Sequence, residues 1–330
     1  MKAVLIPGDG IGVEISESVK QVSEALDCGI EWEEFEAGAE YYEREGKLMQ
    51  DGLLDRIAEL GIALKGPTAT PIGTGFRSIN VQLRQHFKTF ANLRPVHSLE
   101  GIESRFENVD IVIVRENTED LYKGIEYMYD QDTAHGIKLI SKAASEKIIR
   151  FAFDYAIKQN RKKVTCVHKA NIMKFTDGLF LHTFEEVAKD YPQIEADTFI
   201  IDALCMRLVT DPTKFDVLVA PNLYGDIISD LCAGLVGGLG FAPSANIGDD
   251  VVIYEAVHGS APDIAGQGIS NPTSLLLSFA MMLKENDMQD KAAKLEQAIY
   301  DAVREGDRTT GDIGGHAKTV EFTQAIIERL

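Results

Sequence analysis

The chain has little cysteine: four among 330 residues, at 28, 166, 205 and 232, with no Cys-x-x-Cys pair. That scatter argues against a disulfide framework or a cysteine-held zinc and fits structural thiols in a reducing compartment. No apolar run approaches the roughly 18 residues that suggest a membrane-spanning helix. Met1-Lys2 leads straight into the strand-like Ala3-Val-Leu-Ile-Pro7, leaving no room for a signal or transit peptide. With the reduced thiols, this sets the expectation of a cytoplasmic protein. Basic residues are also scarce: 33 Lys and Arg against 52 Asp and Glu, a formal net charge of −19. Such a surface repels phosphate backbones, so nucleic acid is excluded as the main partner. Each clustered Arg or Lys then calls for a reason. Internal repeats, low-complexity tracts and a Pro/Ser-rich linker are absent too.

What is present is alternation. Residues 2–6, 30–35, 62–65, 110–114, 163–167, 196–201, 216–220 and 251–256 read as strands, and 12–26, 51–60, 143–159, 172–189, 223–237 and 287–305 as amphipathic helices. This predicts an α/β protein with a largely parallel sheet, in two domains or one unit with two lobes. Between about 120 and 142 the pattern weakens to two short β-like pieces, 125–129 and 137–140, read as an inserted hairpin or arm.

Pro7-Gly-Asp-Gly-Ile-Gly12 follows a strand and opens a helix, yet it misses the dinucleotide fingerprint. Glycines are needed first, third and sixth, and Val13 stands sixth. A tight strand-to-helix turn explains the cluster better. Asn222-Leu-Tyr-Gly-Asp-Ile-Ile-Ser-Asp230 is richer. Asp226 and Asp230 are four apart on a predicted helix, so their carboxylates share one face, with Cβ atoms about 5–6 Å apart. Two readings fit: oxygen ligands for Mg²⁺ or Mn²⁺, or acids that complement the helix dipole.

Three arginines stand at element ends. Phe76-Arg-Ser-Ile-Asn-Val-Gln-Leu-Arg84 reads as a helix start carrying Ser78, Asn80 and Arg84, while Arg94 follows Ala91-Asn-Leu. Arg115 ends the apolar strand Asp110-Ile-Val-Ile-Val, where α/β sheets commonly bind ligands. The guanidinium fork pairs bidentately with carboxylates, so the set suits a polycarboxylate substrate; local ion pairs are the plainer alternative. Tyr122, Lys169 and Asp202 complete the candidates. Lys169 ends the strand around Val164-Thr-Cys-Val-His168, either as a poised base or merely solvated. Asp202 is a further oxygen ligand, and His168 a second base or a structural hydrogen-bond partner.

These segments, with Glu255-Ala-Val-His-Gly-Ser-Ala-Pro-Asp-Ile-Ala-Gly266 and Gly311-Asp-Ile-Gly-Gly315, resemble the β-decarboxylating dehydrogenases: isocitrate, 3-isopropylmalate, homoisocitrate and tartrate dehydrogenases. The resemblance runs nearly end to end. It implies an isocitrate/isopropylmalate dehydrogenase-like two-domain α/β fold with a non-Rossmann cofactor site. Residues 1–98 and 238–330 would form the large domain and 99–237 the small one, with a dimerisation arm at about 120–142. It implies a homodimer with shared active sites, leaving further pairing into tetramers open. Arg84, Arg94 and Arg115 would clamp substrate carboxylates. Asp226 and Asp230, with Asp202 of the partner subunit, would hold Mg²⁺ or Mn²⁺ as an electron sink for loss of CO₂. Lys169, again the partner's, would help remove the hydroxyl proton, and Tyr122 would protonate carbon.

By the same resemblance Ser78 and Asn80 favour isocitrate, because isopropylmalate enzymes place apolar or Glu residues there. Lys65 and Thr70 belong to the cofactor side, with Ala69 standing where a second threonine often precedes Thr70. His258, Gly259 and Asn271 would border the adenosine. Asp263-Ile264 replaces the Lys-Tyr of NADP-using relatives, which implies NAD. The expectation is thus an NAD-dependent isocitrate dehydrogenase. The alternatives are homoisocitrate or 3-isopropylmalate dehydrogenase, or a regulatory subunit without turnover.

Overall fold

A computed structural model describes residues 1–69 and 78–330, so Thr70 and Arg77 lie outside the described residues. The strands are β1 (Lys2–Ile6), β2 (Glu31–Glu34), β3 (Ile62–Lys65), β4 (Ala91–His97), β5 (Asp110–Glu116), β6 (Glu126–Met128), β7 (Ala134–Gly136), β8 (Lys163–His168), β9 (Glu195–Ile200), β10 (Val217–Ala220), β11 (Pro243–Ile247) and β12 (Val252–Ala256). The helices are α1 (Gly12–Ala25), α2 (Ala39–Glu45), α3 (Leu53–Leu60), α4 (Ile79–His86), α5 (Lys142–Lys158), α6 (Thr176–Val187), α7 (Ile201–Leu208), α8 (Asn222–Leu235), α9 (Thr273–Glu285), α10 (Gln289–Glu305) and α11 (Thr319–Ile327).

Ten strands form one sheet in the order β2-β1-β3-β12-β11-β4-β5-β10-β8-β9. Its outer parts are parallel, as the alternation predicts. The centre is not: β12–β11, β11–β4 and β4–β5 are antiparallel. β3 and β10 are buried along their whole length, as expected of parallel strands covered by helices on both faces. Two apolar cores draw on residues 3–83 and 241–326, and two others on residues 91–236. β4 and β11 lie where these halves meet.

Six elements escape the sequence patterns: α2, α11 and four with a local reason. β4 contains Pro95, which argues against a central strand. β11 pairs with β4 only as far as Leu93, so Pro95 sits where one neighbour has ended. Pro-Ser-Ala-Asn in β11 has little β-propensity. α9 buries ten of its thirteen residues and so shows no polar stripe. α7 follows β9 without a break, which moves Asp202 from a predicted strand end into a helix's first turn. The arm is the exposed hairpin β6–β7, paired from Glu126↔Gly136 to Met128↔Ala134; its first strand falls within the predicted 125–129, but its second precedes the predicted 137–140.

Candidate active site

α8 follows β10 through Pro221 and presents Asp226 and Asp230 to the carboxyl ends of the central strands. It lies close against β5, since a Cβ on Gly225 would fall 2.6 Å from Arg115 Cβ and Cγ. A larger residue at 225 would lift the helix off the arginine. Arg115 is 1% exposed; its Nε and Nη2 donate to Asn222 Oδ1 at 2.9 and 2.7 Å, and Nη1 pairs with Asp226 Oδ1. The Tyr122 hydroxyl donates to the other Asp226 oxygen, and the Arg115 guanidinium sits 4.9 Å from the Tyr122 ring centroid. Arg94 Nη1 donates to Ser229 Oγ at 2.7 Å and reaches Asp230 Oδ1 at 3.3 Å. The structure therefore brings together Arg94, Arg115, Tyr122, Asp226 and Asp230.

Electrostatics divides the two aspartates. Burial would raise the Asp226 carboxyl, but Arg115, the Tyr122 hydroxyl and Arg94 outweigh it and hold it below its ordinary value. Asp230 is raised by burial and by the neighbouring Asp226 charge, despite Arg94. Burial, then Asp226, pushes the Tyr122 phenol up, so it keeps its proton at neutral pH. Burial and the nearby Arg84 charge lower Arg94, and lower Arg115 to about 10.

Lys169 and Asp202 stand apart from this cluster. They pair with each other at 2.5 Å, and Lys169 holds Asp202 below the ordinary carboxylate range. Among the described residues no three His, Cys, Asp or Glu side chains gather as a metal site. Within one chain the carboxylates that share this cluster are Asp226 and Asp230. The donor chemistry suits Mg²⁺ or Mn²⁺: hard oxygen ligands, with Asp230 59% exposed at its side chain. His168 donates nothing to this site; its Nδ1 accepts from Ala170 N at 3.1 Å.

On the substrate side, Ser78 precedes α4 as its N-cap residue but makes no side-chain capping bond. Asn80 Oδ1 accepts from Thr68 Oγ1 at 3.3 Å. Arg84 Nη2 lies 3.2 Å from buried Glu255, and its Nε is buried without a partner. On the cofactor side, burial lowers His258, so the ring is neutral at pH 7; its Nε2 is buried and unpartnered. Gly259 follows, with its carbonyl oxygen 3.0 Å from His258 Nδ1. Asp263 and Ile264 lie in a turn: the Asp263 carbonyl accepts from the Gln267 side chain, Ile264 N donates to Ala261 O, and the Ile264 carbonyl accepts from Gln267 N. Lys65 and Asn271 are turned inward instead. Lys65 is 1% exposed, 3.2 Å from Glu255, and donates to Gly66 O. Asn271 bonds Asp312 and Thr273 N.

Sequence reasoning passed over Asn92 and Glu255, which bond or pair with Arg94, Arg84 and Lys65 from buried strand positions, and Asn246, which bonds both Asn92 and Glu255. The available signal was a polar residue inside an otherwise buried strand. A groove of about 1520 Å³ lies on the other face of β4 and β11, lined by Leu93, Pro95, Ala245 and Ile247. It contains none of the candidate residues, as strand alternation requires.

A sequence profile of the Isocitrate/isopropylmalate dehydrogenase family matches residues 2–328. The chain is 50% identical over 331 residues to the mitochondrial isocitrate dehydrogenase [NAD] catalytic subunit 6 of Arabidopsis thaliana, covering 100% of this chain and 88% of that protein. It is 49% identical over 330 residues to a mitochondrial isocitrate dehydrogenase [NAD] regulatory subunit of Dictyostelium discoideum, covering 100% and 92%. Identity to the chloroplastic 3-isopropylmalate dehydrogenase of Solanum tuberosum is 48% over 307 residues, covering 93% and 86%. The crystal structure of isocitrate dehydrogenase from Methylococcus capsulatus superimposes with a TM-score of 0.96 at 48% identity, covering 99% of this chain and 98% of that one. The cytoplasmic expectation does not stand, because the similar isocitrate dehydrogenase subunits are named mitochondrial. It rested on the start of the chain and on reduced thiols, and neither distinguishes a cytoplasm from an organelle interior. With a full-length profile match and relatives near 50% identity, the chain belongs to the isocitrate/isopropylmalate dehydrogenase family.

Proposed function

We propose that this chain catalyses the NAD-dependent oxidative decarboxylation of isocitrate to 2-oxoglutarate and CO₂. The observation that carries the reading is the convergence of buried Arg94 and Arg115 with Tyr122 on Asp226 and Asp230, beside an α4 that begins with Ser78 and Asn80. In so acidic a protein, buried guanidiniums held on the central strands β4 and β5 are suited to a polycarboxylate. Ser78 and Asn80 separate the substrates. Desolvating a hydroxyl and an amide against an isopropyl group costs a few kcal/mol, whereas the γ-carboxylate of isocitrate satisfies both.

Asp226 and Asp230, with Asp202 of the partner subunit, would hold Mg²⁺ or Mn²⁺, which would supply Lewis-acid polarisation of the substrate. Bound NAD would supply the hydride acceptor. Lys169 of the partner subunit takes the hydroxyl proton. Tyr122, kept protonated by burial and by Asp226, delivers a proton to carbon after CO₂ leaves. Arg84, Arg94 and Arg115 orient the carboxylates. Asp263 accepts from ribose hydroxyls and repels a 2′-phosphate, which favours NAD over NADP.

The working unit is a dimer of this chain. Its support is the separation of Lys169 and Asp202 from the Asp226 cluster, together with exposed apolar residues: Tyr127 and Met128 on the arm, Phe175 at 92%, Met206 on α7 and Ile227 on α8. Residues 1–98 with 238–330 form the large domain and 99–237 the small one; the apolar cores favour this division except at Ala91, Leu93 and Val96 of β4, which pack with the residues of the small domain.

Because one relative is named a 3-isopropylmalate dehydrogenase at 48% identity and another, at 49%, is named as regulatory, overall identity does not choose among these activities. Intact Tyr122, Lys169, Asp202, Asp226 and Asp230 favour turnover. The test is an assay of the purified protein with NAD⁺ and Mg²⁺ or Mn²⁺, comparing threo-isocitrate, isopropylmalate and homoisocitrate. Isocitrate is expected to give the highest kcat/KM. A better rate with either rival refutes the reading of Ser78 and Asn80, and no turnover with any of them refutes the catalytic role.

A further inference from the structure

A row of buried polar side chains crosses the middle of the sheet, where strand interiors are otherwise apolar. Register places Lys65 on β3 beside Glu255 on β12, and Glu255 beside Ser244 on β11. It also sets Asn246 on β11 opposite Asn92 on β4, and Asn92 opposite Arg115 on β5. Asn92 and Asn246 are 0% and 3% exposed. Valine at either position would fit a buried strand better on propensity alone, so the two amides need another reason.

Their hydrogen bonds run in one direction. Arg94 Nε donates to Asn92 Oδ1 at 2.8 Å, and Asn92 Nδ2 donates to Asn246 Oδ1 at 3.1 Å. Asn246 Nδ2 then donates to Glu255 Oε1 at 2.7 Å. Glu255 Oε1 also accepts from Arg84 Nη2 at 3.2 Å. Arginine can only donate and an ionised carboxylate can only accept, so the two ends fix both amide orientations. Branches to Ser244 Oγ at 2.8 Å and from Asn117 Nδ2 at 3.0 Å obey the same polarity. Arg84 and Arg94 are like charges near enough for Arg84 to lower Arg94. Without a bound carboxylate they repel each other, and this chain opposes the repulsion.

We infer that Asn246, with Asn92 opposite it, is a positioning residue that sets Arg84 and Arg94 at the spacing needed to bind the substrate carboxylates. Asn246 touches neither arginine; it acts through Glu255 on one and through Asn92 on the other. It is also the link between β11–β12 and β4, where the two sets of apolar cores meet. The inference rests on the reading of Arg84 and Arg94 as carboxylate ligands for isocitrate.

Steady-state kinetics of Asn246→Ala, the milder Asn246→Ser and Asn92→Ser, with thermal melts, tests it. KM for isocitrate is expected to rise about tenfold or more in Asn246→Ala, with kcat changed less than about threefold, because the loss falls on carboxylate binding. Asn246→Asp sets a carboxylate against Glu255 and is expected to be worse. Asn246→Asp/Glu255→Gln restores a donor–acceptor pair and is expected to recover part of that loss. A purely structural role predicts lowered melting temperatures with KM for isocitrate unchanged in every folded variant, and that result overturns the inference. Failure of all the single variants to fold overturns it too. A wild-type protein inactive on isocitrate overturns the proposed function beneath it, whereas an active wild type with unchanged variants overturns this inference alone.

Discussion

Lys169 Nζ lies 2.5 Å from Asp202 Oδ1, and neither side chain is bonded to Tyr122, Asp226 or Asp230 within the chain. A metal at Asp226 and Asp230 needs a further oxygen ligand, and an isocitrate hydroxyl there needs a base. On the proposed function, one chain would carry two half-sites: an arginine–tyrosine–aspartate half and a lysine–aspartate half.

The two metal-side aspartates are expected to separate in function. Asp226 also compensates Arg115, which is 1% exposed, whereas Asp230 is 59% exposed at its side chain. Asp226→Asn should therefore lower stability by about 1–3 kcal/mol as well as weaken Mn²⁺, because a buried charge loses its partner. Asp230→Asn should weaken Mn²⁺ with little change in melting temperature. Calorimetric unfolding and Mn²⁺ titration of activity report the two effects, and equal melting losses would contradict the assignment. Chelation should abolish turnover in the wild type, with recovery on adding Mg²⁺ or Mn²⁺.

Ser78→Ala is expected to raise KM for isocitrate about tenfold, the loss of one charge-assisted hydrogen bond worth roughly 1.5 kcal/mol. Activity on isopropylmalate should rise relative to isocitrate. An unchanged substrate ratio would place Ser78 outside the substrate site.

Asp263→Lys combined with Ile264→Tyr should shift preference toward NADP⁺, because it removes a carboxylate and adds a cation beside the 2′-position. The ratio of kcat/KM for the two cofactors measures this. If it does not move, Asp263 does not face the ribose.

Much of the layout was legible in the sequence because parallel strands and amphipathic helices have strong periods. The centre of the sheet was not. Pro95 in β4 and Pro-Ser-Ala-Asn in β11 carry anti-strand signals that only their neighbours override. Candidate residues stood out where a charged residue ends an apolar run, as at Arg115 and Lys169, of which the structure brings Arg115 to Asp226 and pairs Lys169 with Asp202. Asn92 and Asn246 were hidden because they join each other across more than 150 residues of sequence. Lys65 shows the opposite limit. Its position at a strand end invites a ligand, yet its ammonium is turned onto Glu255.

Glu255 gives a pH signature. Burial would raise this carboxyl, but Lys65, Arg84 and Asn246 lower it to about 2, against 4.5 for an ordinary glutamate. The folded value is the lower one, so its stabilisation is complete above about 4.5 and is lost as pH falls toward 2. Glu255→Gln should cost on the order of 3 kcal/mol at neutral pH, because it strands two buried cations. Urea unfolding of wild type and variant at stepped pH should show that gap narrowing below pH 4.5. A gap independent of pH would contradict it.

Complementation between two inactive variants tests the shared site most directly. Lys169→Met and Tyr122→Phe should each be nearly inactive as homodimers with isocitrate, NAD⁺ and Mn²⁺. Each mixed dimer joins one intact Tyr122 to one intact Lys169, so unfolding and refolding an equimolar mixture should restore about a quarter of wild-type activity. Activity of the refolded mixture no higher than that of the separately refolded variants would contradict a site completed by the partner subunit.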